Sequence, residues 1–65
     1  MGDDVKTQID KAVAKRRAEL EAMSLQEVGQ DFQLTFGIWP DLTSGKDNLI
    51  ARVLAKFRAE LQRRA

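Results

Sequence analysis

Ser44-Gly45-Lys46-Asp47-Asn48-Leu49-Ile50-Ala51-Arg52-Val53-Leu54 is the stretch that decides how this chain folds. A turn of small residues opens directly into paired apolar residues at 49/50 and 53/54, continued by Phe57 and Leu61. Recurrence at three and four residues marks a helix buried along one stripe, here expected over 45–63. Ser44 is its expected N-cap, with Asp47 three residues on as the acidic half of a weaker capping box. At about 100° per residue, Arg52, Lys56 and Arg63 fall within roughly 40° of one another beside the apolar stripe. The turn also brings Lys46 and the free amides of the first helical turn toward one point, where an anion such as a phosphate is well placed.

Upstream, Ile38-Trp39-Pro40-Asp41-Leu42-Thr43 is too apolar for a flexible linker, and Pro40 bars helix continuation. It reads as an ordered extended loop, with Ile38, Trp39 and Leu42 folded back onto the helices. The competing use of Trp39 is an exposed platform, with Phe36, for a base or a partner helix. Before the loop, Ser24-Leu25-Gln26-Glu27 is a full capping box opening a helix over 25–36, its apolar face Leu25, Val28, Phe32 and Phe36. Gly37 is placed to end it in the left-handed conformation. Gly29, inside the helix at a cost of about 1 kcal/mol relative to alanine, suggests close approach by another helix.

A first helix is expected over 4–23, free of glycine and proline, with Asp3 and Asp4 at its positive end. Its stripe of Val5, Ile9, Ala12, Val13, Leu20 and Met23 is thin and alanine-rich, and Arg16 falls on the same face. Residues 1–23 are therefore read as an N-terminal helix that packs in cis or acts as a dimerisation arm. Residues 24–65 form the helix–extended loop–helix module. The expected fold class is all-α: a small three-helix domain with an extended apolar loop between helices 2 and 3. Its expected core is Leu25, Val28, Phe32, Phe36, Trp39, Leu49, Ile50, Val53, Leu54 and Phe57.

Composition narrows the chemistry. The chain has 65 residues, with neither cysteine nor histidine, and so lacks the commonest general base and the usual transition-metal ligands. The neighbouring carboxylates Asp3/Asp4 and Glu19/Glu21 do not face each other on a helix, so no paired acid–base site is expected. No enzyme activity, metal, cofactor or small-molecule substrate is expected. No apolar run approaches the roughly 20 residues of a membrane span, and Met1-Gly2-Asp3-Asp4 is unlike a secretory leader, which favours a cytoplasmic protein. Net charge is +1, divided as −2 over residues 1–33 and +3 over residues 34–65. The second half is the more anion-facing one.

Ser44-Gly45-Lys46 followed by Leu49-Ile50-x-Arg52-x-Leu54 resembles the second half of the SAP motif and related helix–extended loop–helix modules. Their usual pattern there is Ser-Gly-Lys-Lys-x-x-Leu-Ile-x-Arg-Leu. Leu25, Val28 and Phe32 match the family's first apolar helix, and Gly37-Ile38 its Gly-Leu exit. The chain departs from the pattern in a longer loop from Gly37 to Ser44 and in Asp47, which replaces the second lysine. The resemblance implies nucleic-acid binding, DNA more than RNA. Lys46 and the helix amides would hold one phosphate, Arg52 and Lys56 neighbouring ones, and Asn48 a backbone or base edge, with Arg63 added to the expected site by the basic row on the same helix. The competing expectation is a helical interaction module, homodimeric or docked on another protein, since the near-balance of charges is unusual for a dedicated nucleic-acid binder.

Overall fold

A computed structural model describes the backbone of residues 2–64 and the side chains of residues 4–64, so the capping role expected of the Asp3 side chain lies outside the described residues. Among the described residues there are three helices and no strand: α1 (Gly2–Ala22), α2 (Leu25–Phe36) and α3 (Lys46–Arg64), with a 3-10 turn at Leu42–Ser44 before α3. The protein is a small all-α domain.

α3 is the central strut, packed against both α1 and α2. Its paired apolar positions make the stripe wide enough to serve two neighbours. Leu49 and Val53 turn toward the α2 side, beside Phe32 and Asp31. Ile50 turns toward α1, beside Arg17 and Glu21. The buried core joins Val13 and Leu20 of α1, Val28 and Phe32 of α2, and Leu49, Ile50, Val53 and Leu54 of α3. Residues 1–23 and 24–65 thus share one core. The stripe of α1, thin in sequence, is covered by the chain's own helices at Val13 and Leu20, and Leu20 is completely buried.

The Arg16 that interrupts this stripe is answered by Asp31 of α2, an ion pair between partly buried side chains. Glu19, one turn on, adds a second carboxylate at 3.3 Å. Pairing removes most of the cost of holding a guanidinium against apolar neighbours.

The helix boundaries follow local chemistry. α2 opens with the expected capping box: Ser24 Oγ accepts from the Glu27 amide at 3.2 Å, and Glu27 Oε1 accepts from the Ser24 amide at 3.3 Å. It closes at Gly37, whose φ of 78° is left-handed and whose amide donates to the Gln33 carbonyl at 2.7 Å.

α3 begins differently from the sequence expectation. Ser44 ends the 3-10 turn, and its hydroxyl donates to the Asp41 carbonyl at 2.7 Å instead of capping α3. Gly45, at φ 97°, turns the chain into the helix, and its carbonyl accepts the first helical bond from Leu49 at 3.2 Å. The weaker capping box of Ser44 and Asp47 does not form, because α3 starts at Lys46 and Gly45 takes the N-cap position, with Ser44 one residue upstream.

Two expected core positions and one loop residue are corrected. Leu25 is 37% exposed and Trp39 is 49% exposed. Ile38, expected to fold back, is 65% exposed. Leu25 is the first residue of α2, at the tight α1–α2 corner. Ile38 and Trp39 follow the left-handed glycine and precede Pro40, which holds Trp39 in extended backbone. Phe36, Leu42 and Phe57 pack against the core from its edge. Gly29 admits a loop in place of a helix. A Cβ there would stand 2.9 Å from Leu42 Cδ2 and 3.5 Å from Trp39 Cζ2.

The cis packing of α1 is testable. Leu20→Ala should lower the free energy of unfolding by about 3 kcal/mol, the usual cost of a buried leucine truncated in place. Urea denaturation followed by circular dichroism measures it. A dispensable arm would leave the unfolding midpoint where it is.

Candidate nucleic-acid interface

The five candidate residues all lie on α3, but they do not form one cluster. Counting about 100° per residue, Asn48, Arg52, Lys56 and Arg63 lie on one face, within roughly 80° of one another. Asn48, Arg52 and Arg63 are exposed, and none of these three side chains has a polar partner among the described residues. From Arg52 to Arg63 the row rises about 16 Å along the helix axis.

Lys46 is about 120° around the helix from Arg52, on the α1 side. Its ammonium donates to the main-chain carbonyl of Glu21 at 2.7 Å. The convergence of Lys46 with the α3 amides on one phosphate, expected from the turn, is therefore replaced by a contact that closes α1. The end of a helix leaves carbonyls without partners and carries partial negative charge, so a lysine is a natural stopper. Asp47 lies on the same side as Arg17 and Glu21, away from the Arg52 row.

Lys56 belongs to the row but is partly committed. Its Nζ donates to the Thr35 carbonyl at 2.9 Å and stands 5.1 Å from the centroid of the Phe36 ring. Both contacts are at the C-terminal end of α2, so this lysine does for α2 what Lys46 does for α1. An ammonium has three donors, and two remain for solvent or an anion. Arg58, on a different face, is paired with Asp10 of α1 at 3.1 Å.

Next to Arg52 the loop forms a groove of about 240 Å³. Its walls are Ile38, Trp39 and Pro40, and the buried Phe32 and Leu49 form its floor. Trp39 is the residue that sequence reasoning placed in the core and the structure places on the surface. Pro40 directly after it was the signal, since it keeps Trp39 out of α2. Asp41, which also lines the groove, is exposed and bonded within its own loop: its Oδ1 accepts from the Thr43 hydroxyl at 2.6 Å and from the Thr43 amide at 3.0 Å. The hydroxyl first, and then the amide, hold its carboxyl below the ordinary value of 3.8.

Among the described residues no group of His, Cys, Asp or Glu side chains is arranged to hold a metal ion, and no helix is long and apolar enough to cross a membrane. A tryptophan-walled groove and a row of cations along α3 thus meet at Arg52.

Two outcomes follow for the loop and the helix ends. Because the folded Asp41 has the lower pKa, its contribution to stability is complete above pH 3.8 and is lost as pH falls through the folded value. The Thr43 amide resonance should accordingly shift with a midpoint below 3.8 in an NMR pH titration; a midpoint above that value would show that the bond is absent. Lys46→Ala should cost about 0.5 kcal/mol in thermal or urea unfolding, the usual scale of a cation at a helix C-terminus. Compared with known proteins, the chain matches no family model, no curated protein and no solved structure.

Proposed function

We propose that the protein is a non-enzymatic nucleic-acid-binding module that engages phosphates along the exposed face of α3. The observation that carries this reading is the row Arg52, Lys56 and Arg63, in which both arginines are exposed and uncommitted. Spacing along one helix face lets a backbone of phosphates meet successive cations without sequence readout. Asn48, near Arg52 in the first turn, adds a donor and an acceptor for sugar or base edge. Few cations release few counterions, so binding is weak, salt-dependent and suited to a contributory role beside another binding element. The resemblance of Ser44–Leu54 to the SAP pattern supports the same reading and favours DNA over RNA.

A second reading, a protein-interaction module, draws on a different observation: Leu34 in the last turn of α2 is 88% exposed, and Ile38, just past its glycine cap, is 65% exposed. Apolar side chains exposed together are common at protein contacts.

A backbone-amide NMR titration with duplex DNA, single-stranded DNA and RNA at low salt tests the proposal. Shifts are expected along 48–63 of α3. Arg52→Ala and Arg63→Ala should each weaken binding and reduce the salt slope by about one contact. Asp47→Lys, placed off the row, should change affinity much less than either loss. An absence of shifts with every nucleic acid would end this reading in favour of the protein-interaction module.

A further inference from the structure

From the groove beside Arg52 we infer that the preferred ligand is single-stranded DNA, with one unstacked base against Trp39 and its neighbouring phosphate on Arg52. This rests on the nucleic-acid reading above and names its substrate class.

A tryptophan left 49% exposed forgoes much of the burial its large apolar surface offers. One edge of it is nevertheless packed. The far edge of the six-membered ring lies over Gly29, where a Cβ would stand 3.5 and 3.6 Å from Cζ2 and Cη2, and the buried Pro40 anchors the next residue. One edge of the indole is thus packed while about half of the residue's surface is left open. A duplex keeps the faces of its bases stacked on one another and offers none to an aromatic side chain. A single strand does offer them, and every base has such a face.

Arg52 borders the same groove, so a cation and an aromatic surface are presented to adjoining parts of one nucleotide. The ionised Asp41 in the groove lining repels a phosphate from that side and leaves the Arg52 side for it. Lys56 and Arg63 then continue the electrostatic track along α3. Phe32 and Leu49 give the base an apolar floor, Asp41 and Ser44 also line the groove, and the choice of DNA over RNA follows the reading above.

The test uses the intact chain, whose single tryptophan and lack of tyrosine make its fluorescence a report on Trp39 alone. The probes are an oligothymidylate of about ten nucleotides, within the span such grooves cover, an oligouridylate of the same length, and a duplex of matched length. Oligothymidylate should quench the fluorescence and bind about tenfold more tightly than the duplex, with oligouridylate weaker than oligothymidylate.

With labelled strands followed by anisotropy, Trp39→Ala should weaken oligothymidylate binding by about tenfold and leave duplex binding nearly unchanged. Trp39→Phe, which keeps a ring, should recover part of the loss. If Trp39→Ala fails to fold by circular dichroism, Trp39→Phe and Arg52→Ala carry the same comparison. Duplex binding as tight as single-strand binding, without quenching, overturns the inference while the nucleic-acid reading stands. Tighter binding of oligouridylate overturns the choice of DNA. Failure of every strand to bind at low salt overturns both.

Discussion

Burial of Leu49, Ile50, Val53 and Leu54 between two neighbours is the constraint on which the rest of the structure depends. A single apolar stripe on α3 would satisfy one partner helix. Doubling each position gives α3 two adjacent flanks, one for α1 and one for α2. A chain of 65 residues is close to the size at which burial barely offsets the entropy of folding. Concentrating the core on one central helix lets a single helix serve both interfaces. It also decides which face of α3 remains for other use, and that is the face carrying Arg52 and Arg63.

The elements were legible in the sequence where the information is local. The Ser24–Glu27 capping box, the termination at Gly37 and the stripe of α3 each depend on residues within a turn or two of one another. The placement of Trp39, Ile38 and Leu25 depends on where the other helices end. α2 spans 12 residues and α1 spans 21, about 18 and 31 Å. The ends of α1 and α3 consequently run past α2, leaving Val5 partly exposed beside Ile9 and Leu61. Periodicity alone cannot announce that a stripe outruns its partner.

The candidate row was legible for a similar reason, since Arg52, Lys56 and Arg63 are related by helical spacing alone. The commitments of Lys46 and Lys56 were not, because their acceptors are the carbonyls of Glu21 and Thr35, main-chain atoms far away in sequence. Nor did charge counting separate cations that brace the fold from those that face outward. Arg16 and Arg58 are spent on Asp31 and Asp10, leaving a smaller outward set than the composition suggests. The Arg16–Asp31 pair had a partial signal in an arginine on an apolar face, but its partner could be named only once α1 and α2 were placed side by side.

Neither α1 nor α2 carries a basic residue in its own last turn. Both are finished by lysines of α3, across 25 and 21 positions of sequence. The glycine cap of α2 is local, but the lysine closure of each helix is thereby deferred until the third has docked. An α1–α2 hairpin by itself would have frayed ends as well as an uncovered core, so excising it would sacrifice the polar closures together with the apolar ones. That coupling makes all-or-none unfolding the natural behaviour of this chain, with no half-assembled state in which two helices are complete and one is absent.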